Sequence, residues 1–357
     1  MRYAVIMAGG TGTRFWPESR KALPKQLLRL GSTQSLLERT VRRIEPLIPV
    51  ERMLLVTGDA LVDCIHEHVP GLPAQNLLTE PLRRNTGPCM ALAAKVLLDR
   101  DPDAVLAALS ADHLIQREPL FREIVDAAMT MAAERDVLIT LGITPSYPET
   151  GYGYIEVGEE VGRFGGHQCL HVAAFHEKPD LDTAVEYVAS GRYLWNSGMF
   201  AFRADALWRA IEIHLPELAA EMGRIDGRAP AEKIKQQIDE IYPRLQPISL
   251  DVGVMEKADN VLVFPADIGW SDVGSWTTLR ELIPADDRGN VAHGDHLILH
   301  GNENIIFARD GIVVAIGVEN LIIVHTPDAT LVARRDDAQA IKRIFDELEK
   351  RGLDRYM

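Results

Sequence analysis

Tyr3-Ala4-Val5-Ile6-Met7-Ala8-Gly9-Gly10-Thr11-Gly12-Thr13-Arg14-Phe15-Trp16-Pro17 opens the chain, and this stretch governs how the remainder is read. Residues 3–8 form an unbroken apolar run, which reads as a strand buried on both faces, the habit of parallel sheets. The glycines then fall where a strand's carboxyl end presents ligands in an open α/β sheet. Lacking Cβ atoms, they let the backbone turn tightly and bring several N–H groups against a phosphate chain. Arg14 adds a planar fork of donors for phosphoryl oxygens, and Lys25, in Leu23-Pro24-Lys25-Gln26, adds a point charge. A glycine-rich turn taken alone is weak evidence, and by itself it favours a plain strand-to-helix turn with two solvated cations.

Further apolar runs at residues 53–57, 76–79, 104–109 and 137–141 repeat the strand pattern, and helical periodicity fills the gaps. Ser35-Leu36-Leu37-Glu38 is a capping-box pattern, followed by Leu37, Val41, Ile44 and Ile48 on one face. Residues 119–133 predict a second such helix. Strand and helix in alternation predict an α/β, doubly wound, mostly parallel Rossmann-like sheet. Residues 151–202 read as shorter strands with a helix at 181–190 closed by Gly191, an insertion expected to cover the sheet's ligand edge. Residues 205–243 read as helical and 261–264 as a returning strand. After Pro284-Ala285-Asp286-Asp287, short apolar runs around Ile298, Ile305, Val313, Ile322 and Leu331 suit a small, coiled, β-helix-like domain, and residues 338–350 a terminal helix ending at Gly352. The expected domains are therefore residues 1–285 and 286–357.

The chain has 357 residues, 38 Lys plus Arg and 52 Asp plus Glu, for a net charge of −14. Such a surface repels nucleic-acid backbones and anionic lipid, so neither nucleic acid nor membrane is an expected partner. Cys64, Cys89 and Cys169 form no CxxC pair, and neither a signal-peptide pattern nor an apolar run of roughly 18 residues occurs. Reduced, cytoplasmic chemistry is the expectation. A dinucleotide fingerprint fails because Phe15 stands where the third glycine belongs, which removes a nicotinamide-dependent oxidoreductase from consideration. No P-loop string occurs.

What remains is a GGTGTRFWPxSR…PKQ string, which resembles the signature of sugar-nucleotide pyrophosphorylases in the form typical of mannose-1-phosphate guanylyltransferases. Glu80-Pro81-Leu82-Arg83-Arg84-Asn85-Thr86, Ser110-Ala111-Asp112-His113, Thr150-Gly151-Tyr152-Gly153-Tyr154-Ile155, Glu177-Lys178-Pro179, Trp195-Asn196-Ser197-Gly198-Met199-Phe200 and Gly269-Trp270-Ser271-Asp272-Val273-Gly274-Ser275-Trp276 resemble family blocks in the same order. Leu82-Arg83 and Gly87-Pro88-Cys89 depart from the family pattern.

The resemblance implies an enzyme that takes GTP and mannose 1-phosphate to GDP-mannose and pyrophosphate. Bringing two anions together calls for a divalent cation, and Mg²⁺ prefers one or two carboxylates plus phosphate oxygens. The resemblance makes Asp112 and Asp272 its ligands, each otherwise read as a helix cap or a turn aspartate. It makes Arg14, Lys25, Asp112 and Asp272 the catalytic set. Gly9, Gly10, Thr11, Gly12, Thr13, Arg14, Glu80, Asn85 and Thr86 are expected on the nucleotide. Glu80 is the base reader, since guanine presents two adjacent donors that a carboxylate can accept together. Gly153, Glu177, Lys178, Asn196 and Asp272 are expected on the sugar phosphate. His113 and the tryptophans are read as structural.

Two alternatives stay open at this level. One is a sibling nucleotidyltransferase with another sugar or nucleotide. A second is a silent sugar-nucleotide-binding subunit, disfavoured because it has no chemical need for both phosphate cations and metal carboxylates. Some members of the family resembled carry a cupin-type phosphomannose isomerase domain as well, and that activity is not expected of this chain. Oligomeric state is left open, with a homodimer as one option.

Overall fold

The computed structural model describes residues 1–10 and 12–357. Contacts divide the chain into two compact units, neither of them a continuous segment. The first comprises Met1–Gly9, Thr40–Ala111 and Ile115–Trp270; the second comprises Gly10–Arg39, Asp112–Leu114 and Ser271–Met357.

In the first unit the expected strands appear as Arg2–Ala8, Met53–Gly58, Leu77–Glu80, Val105–Ser110 and Leu138–Ile143. Among the described residues nine strands make one sheet, in the order Leu77–Glu80, Met53–Gly58, Arg2–Ala8, Val105–Ser110, Tyr193–Arg203, Leu138–Ile143, Val261–Ala266, His167–His176, Tyr154–Phe164. The first four are mutually parallel, as are Leu138–Ile143 and Val261–Ala266. Tyr193–Arg203 enters antiparallel between them. It lies in the stretch expected to be an insertion of shorter strands covering the ligand edge, yet it runs 11 residues through the middle of the sheet. Its run Met199-Phe200-Ala201-Phe202 is buried on both faces, a pattern only an interior strand satisfies.

The helix Thr86–Arg100 is rich in Ala and Leu and is buried from Gly87 through Ala94, as expected of a helix apolar all round. The span 205–243 resolves into Ala204–His214, Pro216–Met222 and Ala231–Ile241. Pro216 explains the first break, because proline suits the first turn of a new helix but cannot donate inside an old one. Glu118–Glu134 and Leu181–Ser190 form as expected, the latter ending at Gly191 in the left-handed conformation. Among the described residues no helix is long and apolar enough to cross a membrane.

The second unit is built on four strands, Val291–Leu299, Ile305–Ile316, Leu321–His325 and Thr330–Arg334. The first three pair in parallel and the last is antiparallel. Buried asparagines join the coils: Asn290 Oδ1 accepts from the Asn304 backbone at 3.0 Å and from its side chain at 3.1 Å, and Asn304 Oδ1 accepts from the Leu321 backbone at 3.0 Å. The apolar core gathers Phe15, Trp16, Leu28 and Leu36 with Val273, Trp276, Ile305 and Phe307. The indole of Trp276 donates to the Trp16 carbonyl at 3.0 Å and that of Trp16 to the Tyr356 carbonyl at 2.8 Å, so both rings serve packing. The capping box forms in full, with Glu38 accepting from the Ser35 backbone at 2.6 Å and Ser35 from the Glu38 backbone at 3.2 Å. The expected terminal helix divides into a tight 3₁₀ stretch, Arg335–Arg343, and an α-helix, Ile344–Lys350.

Candidate active site

Gly12 takes a φ of 60°, and a Cβ there would fall 2.1 Å from the Lys25 Cβ. Only glycine lets the turn close onto the lysine. Lys25 is buried at 7% exposure. Its ammonium donates to Asp112 Oδ2 at 2.7 Å and to the Asp272 carbonyl oxygen. Arg14 Nη1 donates at 3.4 Å to the Gly274 carbonyl. These groups line a cavity of about 310 Å³ with Thr13, His113 and Lys342. Gly10 lies against Asp112, while Thr11 is outside the described residues. All four predicted catalytic side chains are thus brought together by one unit.

Burial pushes the Asp112 carboxyl up, but the attraction of Lys25, helped by His113, outweighs it and holds the group below the usual aspartate value. His113 therefore does more than fill space: it lines the cavity and helps keep its neighbour ionised. Beside Asp272, Val273 sits at a φ of 47°. For a β-branched residue this is strained backbone, of the order of 1–3 kcal/mol. It is held by complete burial and by Ser271 Oγ, which accepts from the Val273 N–H at 3.1 Å.

Two carboxylates in one cavity are the donor set a hard divalent cation takes when phosphate oxygens and water complete its shell. Among the described residues no cluster of three or more His, Cys, Asp or Glu is able to hold a metal. A cation at Asp112 and Asp272 would thus depend on substrate oxygens for most of its ligands.

In the first unit, Glu80 ends the strand Leu77–Glu80 and is 8% exposed. Its Oε1 accepts from the buried Tyr242 hydroxyl at 2.7 Å, and its Oε2 lies beside Gly9. Burial pushes its carboxyl up to about 7, against the opposing pull of Tyr242 and Arg83. Asn85 caps the helix Thr86–Arg100, its Oδ1 accepting from the Thr86 backbone at 2.8 Å at a φ of 69°. Thr86 Oγ1 accepts from the Leu250 backbone at 2.9 Å.

Gly153, Glu177 and Asn196 also meet in this unit. The Asn196 backbone donates to the Gly153 carbonyl at 2.8 Å, and a Cβ on Gly153 would stand 3.1 Å from Glu177 Oε2. Lys178 pairs with Glu177 at the exposed rim. Sequence reasoning missed Asp251, which accepts from the Asn196 side chain at 2.6 Å. Burial raises its carboxyl, and the negative charge of Glu177 adds to this. It starts a π-helical turn, Asp251–Met255, a distortion frequent at functional sites. The one visible signal was a carboxylate set in the apolar run Leu250-Val252-Val254-Met255. Tyr242 and Lys342 were missed as well, because nothing local marks either.

Residues 3–288 match the nucleotidyl transferase family, and residues 294–348 match the MannoseP isomerase/GMP-like beta-helix domain. The chain is 40% identical over 357 residues to the mannose-1-phosphate guanylyltransferase RfbM of Salmonella typhimurium, covering 99% of this chain and 73% of that protein. It is 39% identical over 359 residues to the mannose-1-phosphate guanylyltransferase of Escherichia coli K12, covering 98% of this chain and 74% of that one. A solved Thermus thermophilus protein, described as a mannose-1-phosphate geranyltransferase, superposes with a TM-score of 0.88 at 33% identity, covering 98% of this chain and 99% of the other. With relatives of that name matching almost its whole length, the chain belongs to the mannose-1-phosphate guanylyltransferase family of nucleotidyl transferases.

Proposed function

We propose that the chain transfers GMP from GTP to mannose 1-phosphate, forming GDP-mannose and pyrophosphate. The observation that carries this beyond family membership is the convergence of Lys25 and Arg14 with Asp112 and Asp272 in one cavity. An oxygen of the sugar phosphate bonds to the α-phosphorus of GTP while the bond from that phosphorus to the β-phosphate oxygen breaks in line. The nucleophile is already an anion, so no side chain has to remove a proton. Arg14 and Lys25 hold the phosphoryl oxygens and stabilise the charge that gathers on them. Mg²⁺, carried by Asp112 and Asp272, would neutralise phosphate charge and fix the orientation of the two reacting groups. Gly9, Gly10, Gly12 and Thr13 offer backbone to the phosphates. Glu80 reads guanine, with Asn85 and Thr86 shaping that loop. Glu177, Asn196 and Gly153 take the sugar, and Lys178 its phosphate.

Pyrophosphate release measured over four nucleoside triphosphates and several sugar 1-phosphates tests this. GTP with mannose 1-phosphate is expected to give the highest kcat/KM. A higher value for another pair would move the chain to a sibling specificity, and no release with any pair would remove the reaction.

We also propose a homodimer, supported by an exposed apolar stripe. Leu297 pairs with Val314 and Leu299 with Ile316 across two parallel strands, and all four side chains are exposed. Patches of this kind commonly mark contact surfaces, and a second copy is the occupant we assign. Light scattering is expected to give a dimer mass for the wild type and a monomer mass for Val314→Asp; a monomeric wild type overturns the assignment. The three cysteines are all free thiols, which supports placement in the reducing cytoplasm. For function we divide the chain at residue 285, since every substrate-binding group assigned above lies before it.

A further inference from the structure

Lys342 breaks that division. It lies in the Arg335–Arg343 stretch near the chain's end, yet it lines the cavity shared by Arg14, Lys25, Asp112 and Asp272. Ala338 and Ile341 of the same stretch are buried in the unit's apolar core, which fixes the segment and leaves Lys342 exposed on the cavity side.

The other two cations of the cavity are already engaged. Lys25 serves Asp112 and the Asp272 carbonyl, and Arg14 the Gly274 carbonyl. Among the described residues Lys342 makes no hydrogen bond or ion pair. Counting side chains alone, with His113 neutral, Arg14 and Lys25 formally cancel Asp112 and Asp272, so Lys342 gives the lining its positive sign. In a chain of net charge −14 that sign matters, because the overall field repels a polyphosphate and only local cations draw it in. The Arg335–Arg343 stretch packs against the Thr13–Phe15 turn. That turn belongs to the glycine loop assigned above to the triphosphate, so Lys342 and that loop line one cavity.

We propose that Lys342 is a further phosphate-binding residue, contacting the β- and γ-phosphates that leave as pyrophosphate. This rests on the nucleotidyl-transfer reading above. The C-terminal segment then supplies part of the substrate site.

Running the reaction backward separates the two halves of the product, because GDP-mannose carries no leaving pyrophosphate. Lys342→Gln is expected to raise KM for pyrophosphate about fivefold to tenfold, the scale of one lost charge-assisted contact. KM for GDP-mannose should stay within twofold and the melting temperature should not move. Lys342→Glu should be worse than Gln, and Lys342→Arg should restore most of the loss. Lys350→Gln, at a lysine paired with Glu347, is the control. Isothermal titration of inorganic pyrophosphate into wild type and Lys342→Gln gives a readout independent of turnover, so a wild type inactive in both directions would count against the reaction and not against this residue. Equal pyrophosphate affinity in the two proteins overturns the proposal. So does a rise in both KM values together, or a loss that tracks melting temperature and is not rescued by arginine.

Discussion

Asp112→Asn is expected to lower kcat by about 10²- to 10³-fold, the scale of losing one preorganised electrostatic group. The change removes a charge and almost no volume. It gives the Lys25 ammonium a neutral amide oxygen in place of a carboxylate and takes away one of two carboxylates proposed for the cation. The native carboxyl is held below its usual value, chiefly by Lys25 working against burial. It therefore contributes stability above the unfolded pKa that disappears as pH falls through the folded one. At neutral pH the variant should melt slightly lower, and in acid the difference should vanish. Turnover near normal at saturating Mg²⁺ would end the assignment. A useful companion is Lys25→Gln: if the two residues act as one unit, the double variant should lose far less than the product of the single losses.

The second large effect is nucleotide choice. A site whose buried carboxylate accepts from guanine leaves that group unpaired with ATP, and such a mismatch can cost about 10⁴-fold in kcat/KM. ITP is the sharper probe, since hypoxanthine keeps the ring N–H and lacks the amino group, a difference of roughly 1.5–3 kcal/mol for one hydrogen bond to a charged group. Glu80→Gln should shrink the preference for GTP over ITP, because an amide oxygen is a weaker acceptor and its NH₂ faces a donor. The structure adds a pH signature. With Glu80 raised to about 7, its carboxylate fraction in the free protein increases through neutrality, and kcat/KM for GTP should climb over the same range.

Stability moves the other way. A carboxyl raised by burial binds its proton more tightly folded than unfolded, so its contribution falls as pH rises from the ordinary 4.5 to about 7. Glu80→Gln should remove both the kinetic limb and that fall, while Tyr242→Phe, lacking the hydroxyl that favours the charged form, should shift the limb to higher pH. An unchanged GTP/ITP ratio in Glu80→Gln would place base reading elsewhere, in the backbone of the 83–87 loop.

What was legible in the sequence was local. Ser35 and Glu38 meet because they lie three residues apart on the chain, and their box formed as read. Apolar runs foretold the parallel strands because burial on both faces leaves no room for alternation. The run at 199–202 carried the same message, but it was read with its neighbours as an insertion of shorter strands, whereas Tyr154–Phe164 and Tyr193–Arg203 each run 11 residues. Asp112 and Asp272 were reachable only through the motifs that hold them. Asp251, Tyr242 and Lys342 have no such motif, and each acquires its surroundings from residues far away in sequence: Tyr242 and Glu80 are 162 positions apart and Asp251 and Asn196 are 55. Glu80 could be chosen as a base reader from its chemistry, but its burial and its tyrosine partner belong to the fold.

The second unit is sewn from three lengths of chain, and Lys25 reaches the Asp272 carbonyl across 247 residues. Closing so long a loop costs more entropy than local pairing, so these contacts are expected to form after the local ones. A growing polypeptide can lay down the Arg2–Ala8 strand and its parallel neighbours early, yet the carbonyl that seats Lys25 does not exist until residue 272 is made.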